Sequence, residues 1–285
     1  MSPSEPEALA NLAGSIAREA GALIRERYDA PRTIATKSAA VDLVTDTDQA
    51  AERMILERLR RLCPDHAILS EESGALDAPA TSHPAICWVI DPLDGTTNFA
   101  HGIPHFAVSI AAVRLPERTD RAAAFDARKA TPFAGAVFDP MRDELFVAHA
   151  GGRTTLNGCP VRTSSEKALG ASLVATGFPY DRREHADFYL AFWRRFLVAA
   201  RDVRRIGAAA LDLAWVACGR VDAFWEWRLK PWDVAAGNLL VQCAGGTVTD
   251  FAGHDPGVDA EQTLASNGVL HEQMLAVLRE LAPAP

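Results

Sequence analysis

Asp91 and Asp94 stand three residues apart in the stretch IDPLDGTTNF, which follows the apolar run Ile86-Cys87-Trp88-Val89-Ile90. A short continuous apolar run reads as a buried strand. An acid at its end is a carboxylate held at a fixed sheet edge. Asp94, one turn further on, can point at the same spot, and the Leu93 carbonyl between them offers a third oxygen. Hard cations such as Mg2+ take oxygen ligands of this kind, usually a few carboxylates completed by phosphate and water. Gly95 lets the backbone approach a ligand closely. If Gly95-Thr96-Thr97 open a helix, their N–H groups face an anion, and the Thr96 hydroxyl can orient a water.

A lone Asp-x-x-Asp is better explained by a helix cap and a turn. Other acids, however, stand in similar settings. Glu71-Glu72 close the strand-like AILS, and Asp233 follows Lys-Pro-Trp at the opening of a helical segment, where a carboxylate is also a routine cap. These acids end strands or begin helices with no matching cluster of Lys or Arg in the sequence. Clustered carboxylates repel and raise one another's pKa unless a cation is present.

The elements that must position these groups come in runs rather than in strict alternation. Leu9, Leu12, Ile16, Leu23, Ile24 and Tyr28 follow helical spacing, with Pro31 as the stop. KSAAVDLVTDTD (37–48) reads as a loop or short extended piece. A second helix carries Ala51, Met54, Ile55, Leu59 and Leu62 on one face, with Asp46 and Gln49 as its capping box. AILS, CWVI and FAVSIAAVRL (106–115) read as strands. FAGAVFDP (133–140) and ELFVAHA (144–150) read as a hairpin. Residues 116–132 carry four basic and three acidic groups and read as a solvated connection. Past Asn157-Gly158, strands are expected at 172–178, 202–206 and 221–226. Helices are expected near 186–199, 207–219, 233–244 and from about Leu270. TVTDF and TLASN add two short strands. Such runs suggest layered sheets and helices of mixed topology.

The chain has 285 residues, 48% of them hydrophobic and 23% charged, with a formal charge of -8. That is long enough for a sizeable core, and the acidic balance argues against a general nucleic-acid binder. Five cysteines in no C-x-x-C spacing read as reduced thiols of a cytoplasmic protein. No signal peptide and no membrane-spanning run is expected.

SEES, WVIDPLDGTTNF and KPWDVAAGNLLVQCAGG resemble the signature segments of the inositol monophosphatase family. DLVTDTD and RRIGAAALDLAWVACGRVDAFWE reinforce the resemblance, which runs from Leu9 to the last helix. It implies an α+β fold, a layered αβαβα sandwich of the sugar-phosphatase type, and a magnesium-dependent, lithium-sensitive phosphomonoesterase. Residues 1–160 would carry most metal ligands. Residues 161–285 would carry Asp233 and the substrate contacts. By position, Glu71 and Asp91 with the Leu93 carbonyl match the ligands of a first Mg2+. Asp91, Asp94 and Asp233 match those of a second, and a third, weaker metal would lie near Glu71. Thr96, backed by Asp48, and Glu71 match the groups that hold the attacking water. The N–H groups of Gly95 and Thr96 match the phosphate cradle. Glu226 and the backbone around Gly207-Ala208-Ala209 match the positions that meet the alcohol. The substrate would be myo-inositol monophosphate, attacked in line by water without a phosphoenzyme, and the family is commonly dimeric.

Relatives in the superfamily hydrolyse fructose 1,6-bisphosphate, histidinol phosphate or 3'-phosphoadenosine 5'-phosphate. Glu226 favours a polyol. Lys37 matches a position near the metal-phosphate site. His101, His105 and the tryptophans Trp215, Trp225, Trp227 and Trp232 read as packing or surface residues. Arg204-Arg205 read as structural or dimer-interface partners, with Glu226 as one candidate. Three departures bear on substrate choice: Ala208 replaces the Ser or Thr of many relatives, AGGRTTLNG is irregular, and residues 116–132 run long. A non-catalytic binding protein would have lost a metal ligand, and none is lost here.

Overall fold

The computed structural model describes residues 4–30, 33–36, 43–76, 85–116, 126, 128–259 and 261–281. Two strands, β1 (Ile34–Thr36) and β2 (Leu43–Thr45), form a small ribbon before α2 (Asp46–Leu62), and α1 (Pro6–Arg27) precedes them. The larger sheet comprises β3 (Ala67–Ser70), β4 (Gly74–Leu76), β5 (Ile86–Asp94), β6 (Ala107–Arg114), β7 (Thr131–Asp139), β8 (Glu144–His149), β9 (Thr155–Leu156) and β10 (Cys159–Pro160). Its order is β10-β9-β8-β7-β6-β5-β3-β4, antiparallel except for β3 beside β5. A short α3 (Thr96–Ala100) follows β5.

The second sheet comprises β11 (Leu173–Thr176), β12 (Asp202–Arg204), β13 (Ala223–Trp227), β14 (Thr247–Thr249) and β15 (Gln262–Ser266), in the order β12-β11-β13-β15-β14. Helices α4 (Ala186–Ala199), α5 (Ala209–Ala217), α6 (Pro231–Cys243) and α7 (His271–Arg279) complete the chain. The fold is the expected layered α+β sandwich.

Side-chain alternation builds the layers. All nine residues of β5 are buried. Ile86, Trp88 and Ile90 join a core with α1 and α2, whereas Cys87 and Val89 join a second core with α5 and α6. A strand covered on both faces must be apolar throughout, which is why the run before Asp91 lacks polar residues. On β13, Ala223, Trp225 and Trp227 pack with α4 and α7, and Phe224 faces α5 and α6. The middle helices are rich in alanine and glycine. A methyl group at Gly135 would lie 3.1 Å from the Ala236 Cα, so β7 and α6 nearly touch through their backbones.

Several local expectations change. The cap of α2 is Thr45 with Asp48, not Asp46 with Gln49; the Thr45 hydroxyl accepts from the Thr47 and Asp48 N–H groups, and Asp48 answers. The helix starts one residue earlier than a box at Asp46 requires. Leu62 is exposed and Leu56 takes its place on the buried face. Residues 131–132, assigned to the connection, begin β7. Asn157 and Gly158, both at positive φ, turn a hairpin between β9 and β10, the pairing that Asn-Gly favours. Arg205 lies beyond the end of β12. Lys37, Pro31 and residues 117–125 lie outside the described residues.

A methyl group at Gly237 would lie 2.6 Å from the Leu213 Cβ, where α6 meets α5. Gly237→Ala gains about 1 kcal/mol of helix propensity but overpacks the contact at about 1–3 kcal/mol. The expected net is a loss of about 1 kcal/mol, read as a fall of roughly 2–4 °C in thermal unfolding.

Candidate active site

The end of β5 is bent out of the ladder. Its register against β6 shifts between Asp91 and Asp94, and the Asp91 Oδ1 accepts from the Leu93 N–H at 2.9 Å. A bulge at a strand end re-aims side chains, and here it turns both carboxylates to one side. Gly95 follows at φ 92°, where a side chain would press on the His105 carbonyl at 3.1 Å and on the Ala208 Cβ at 3.3 Å. Only glycine fits that turn without strain.

Asp233 arrives from the other half of the chain, in the first turn of α6. Pro231 sets the helix start, and the Asp233 carboxylate accepts from the Lys230 N–H at 2.6 Å. One carboxylate oxygen each of Asp91, Asp94 and Asp233 lies within 4.8 Å of the others. Asp94 has a second duty. Its Oδ2 accepts from the Ala210 N–H at 2.7 Å, in the first turn of α5, where the N-cap residue Ala208 offers no side-chain acceptor.

Thr96 stands beside the acids with its hydroxyl 2.9 Å from the Asp48 Oδ1 and 3.0 Å from the Leu93 carbonyl. The other Asp48 oxygen accepts from the Thr45 N–H at 2.9 Å and from the Thr45 hydroxyl. Asp48 is therefore fixed by its own helix cap and aimed at Thr96.

A cleft of about 600 Å³ joins these groups. Glu71, Asp91, Leu93, Asp94, Gly95, Thr96, Ala209, Glu226 and Asp233 all line it. Asp48 lies behind Thr96 rather than on the wall. Of the basic rim, Arg182, Arg205, Arg228 and Lys230, the sequence singled out only Arg205. Arg228 is tied to Asp181 and to Glu261. Arg205 lines the cleft and lowers the pKa values of Glu226 and Asp212, whereas Arg204 pairs with Asp202 at 2.5 Å. His105 and Trp225 are buried and outside the cleft; Trp227 and Trp232 line it.

The electrostatics are those of crowded acids. Burial pushes the Asp91 carboxyl well above the usual range, and the charges of Glu71, Asp94 and Asp233 push it further. Asp94 is raised by burial and by Asp233, against the pull of the Ala210 N–H. Burial raises Asp48, opposed by its threonine hydrogen bonds. Glu226 is pushed up to about 8 by burial, although Arg205 opposes the shift. A side chain at position 177 would collide with both Glu226 oxygens, so Gly177 gives that carboxylate its place. Asp212 on α5 is buried, is raised by burial and by Glu226, and has an Oδ1 without a hydrogen-bond partner among the described residues. Its one sequence signal is an acid inside the apolar run ALDLAWVA.

This donor set fits a hard divalent cation. The oxygens converge, those of Asp91 and Asp94 are buried and Asp233 is half-buried, and the acids repel one another when nothing positive lies between them. In EDTA, neutralising one acid therefore stabilises the fold. Asp94→Asn keeps an acceptor for the Ala210 N–H and is expected to raise the unfolding midpoint by roughly 2–4 °C, about 1 kcal/mol. Asp94→Ala loses that acceptor and gains nothing. The sign with pH follows. Folded Glu226 holds its proton up to about 8, against about 4.3 in an unfolded chain. The stability it contributes is present below the unfolded value and is lost as pH rises through the folded one. The midpoint in EDTA should fall between about pH 5 and 8.5, and Glu226→Gln should flatten the fall.

Similarity to known proteins agrees with this geometry. A sequence model described as the inositol monophosphatase family matches residues 5–282. The Nus factor SuhB of Escherichia coli K12 is 43% identical over 271 residues, 95% of each chain. An inositol-1-monophosphatase of Synechocystis sp. is 40% identical over 277 residues, 97% of this chain and 91% of that protein. The crystal structure of the extragenic suppressor protein suhB from Bartonella henselae superposes with a TM-score of 0.85 at 34% identity, covering 96% of this chain and 99% of the other. The chain belongs to the inositol monophosphatase family.

Proposed function

We propose that the chain is a Mg2+-dependent phosphomonoesterase that hydrolyses myo-inositol monophosphate to inositol and phosphate. The observation that carries the reading is the convergence of Asp91, Asp94 and Asp233 within 4.8 Å, in a cleft that also holds Glu71, Thr96 and Glu226. Glu71, Asp91 and the Leu93 carbonyl would hold one ion, and Asp91, Asp94 and Asp233 a second, with a weaker third near Glu71. Bound there, Mg2+ neutralises phosphate charge and acidifies the attacking water.

The chain's own groups do the rest. Asp48 fixes the Thr96 hydroxyl, which with Glu71 orients the water and takes its proton. The N–H groups of Gly95 and Thr96 cradle phosphate oxygens. The Glu226 carboxyl accepts from a hydroxyl of the alcohol, and the Ala209 N–H donates to one. Phosphoryl transfer needs mainly such positioning and charge, so no side-chain nucleophile is invoked. The protein would work as a cytoplasmic homodimer, with residues 1–160 supplying most ligands and residues 161–285 supplying Asp233 and the substrate contacts. No helix among the described residues is long and apolar enough to cross a membrane.

The test is phosphate release by purified protein from inositol 1-phosphate, fructose 1,6-bisphosphate, histidinol phosphate and 3'-phosphoadenosine 5'-phosphate, with Mg2+ or EDTA. The expected result is Mg2+-dependent turnover strongest on inositol 1-phosphate. In Asp94→Asn it should fall on the order of a thousandfold, about 4 kcal/mol. Preference for another ester would move the substrate assignment. Absence of turnover by folded protein would overturn the enzyme reading. A second reading, a role as a Nus factor, rests on the 43% identity to the E. coli protein of that name. A cellular role retained by folded Asp94→Asn would be independent of the chemistry.

A further inference from the structure

Glu71 sits in a tight turn between β3 and β4. Ser70 ends β3 opposite Gly74, and Gly74 takes a positive φ of 69° to start β4. On one side the turn is tied to β5, because the Glu71 N–H donates to the Ile90 carbonyl at 3.1 Å, next to Asp91. On the other side it is tied to a buried acid of α2. The Ser70 hydroxyl donates to the Glu52 Oε1. The Ser73 N–H donates to the same oxygen at 3.0 Å, and the Ser73 hydroxyl donates to the Glu52 Oε2 at 2.7 Å. Both ends of the Ser70–Ser73 segment therefore hang on one carboxylate, with Glu71 and Glu72 between them.

Glu52 is 5% exposed and Ser70 is fully buried. One buried donor, the Ser70 hydroxyl, and two donors of the more exposed Ser73 converge on an acceptor with several lone pairs, which a carboxylate provides. An apolar residue at 52 would leave the buried Ser70 hydroxyl without its acceptor and would release Ser73 to solvent. Glu52 also lies four residues after Asp48, one turn along the same face of α2. Asp48 holds Thr96, and Glu52 holds the turn of Glu71. One helix face thus sets two groups that approach the cleft from beyond the ends of β3 and β5.

We propose that Glu52 is a positioning residue for the metal site, fixing Glu71 against Asp91 by clamping the Ser70–Ser73 turn. The inference rests on the reading of Glu71 as a metal ligand. Glu52 lies outside the cleft and acts only through Glu71. The partners that orient metal ligands typically carry ten- to hundredfold in metal affinity.

The test is calorimetric titration of the full-length protein with Mg2+, without substrate. Glu52→Ala should weaken binding at least tenfold, and Glu52→Gln, which keeps one acceptor oxygen, by less. Ser73→Ala, which removes one hydroxyl and leaves the rest of the turn, should weaken it about threefold, and it serves if Glu52→Ala fails to fold. Placed in a Glu71→Gln background, Glu52→Ala should add less than twofold, because residues that act through one another are not additive. Wild-type-like affinity in Glu52→Ala or Ser73→Ala overturns the inference, as does a full additive loss in the double variant. If the wild-type chain itself binds no Mg2+, the metal-enzyme reading falls and the inference falls with it.

Discussion

Mutual repulsion among buried carboxylates is the constraint around which this molecule is organised. Asp91, Asp94 and Asp233 converge on one point, and burial makes the charges of Asp91 and Asp94 more costly than they would be in water. The bulge of β5 turns Asp91 and Asp94 to one side, but no local backbone feature brings about their meeting with Asp233. It is imposed by rigid elements that have other reasons to be where they are. Strand β5 is locked by packing on both faces, and α6 is held against β7 at the Gly135–Ala236 contact. The acids occupy the ends of these elements, where a side chain can be aimed without disturbing the core.

The same acids are wired into the scaffold. Asp94 caps α5 across the boundary between the first sheet and the middle helices. The Asn98 side-chain amide donates to the His105 carbonyl at 2.8 Å and to the Ile206 carbonyl at 2.9 Å, stitching the loop after α3 to the strand end that carries Arg205. The segment that would meet phosphate and the segment that would meet the alcohol are therefore not independent. A shift in one is felt by the other through two or three short polar contacts.

Much of this was legible in the residues. Asp91 and Asp94 could be read because strand, acid, carbonyl and glycine are contiguous, and the long apolar runs gave the layers their strands. Thr96 could be read from the same stretch, but its link to Asp48 needed the family resemblance, since nothing in a local pattern ties residue 48 to residue 96. Glu52 and Asp212 were invisible for a related reason. Each is a single polar residue whose partner is distant in the chain. The α2 cap was misread because Asp46 and Thr45 are both competent caps, and only the pairing of β2 with β1 decides where the helix can begin. The β9–β10 hairpin was missed although Asn157-Gly158 announces it, because its strands are only two residues long.

Glu226 and Gly177 lie on neighbouring strands of the second sheet or just beyond them, and the bare backbone at 177 is what leaves room for the acid. This makes the two positions sterically linked. Enlarging 177 first would drive a side chain into the Glu226 carboxylate and displace it. Shortening 226 first would open a space that a new side chain at 177 could then fill. The order in which the two can be exchanged is thus constrained, and a rebuilt wall at this point of the cleft has to begin at 226.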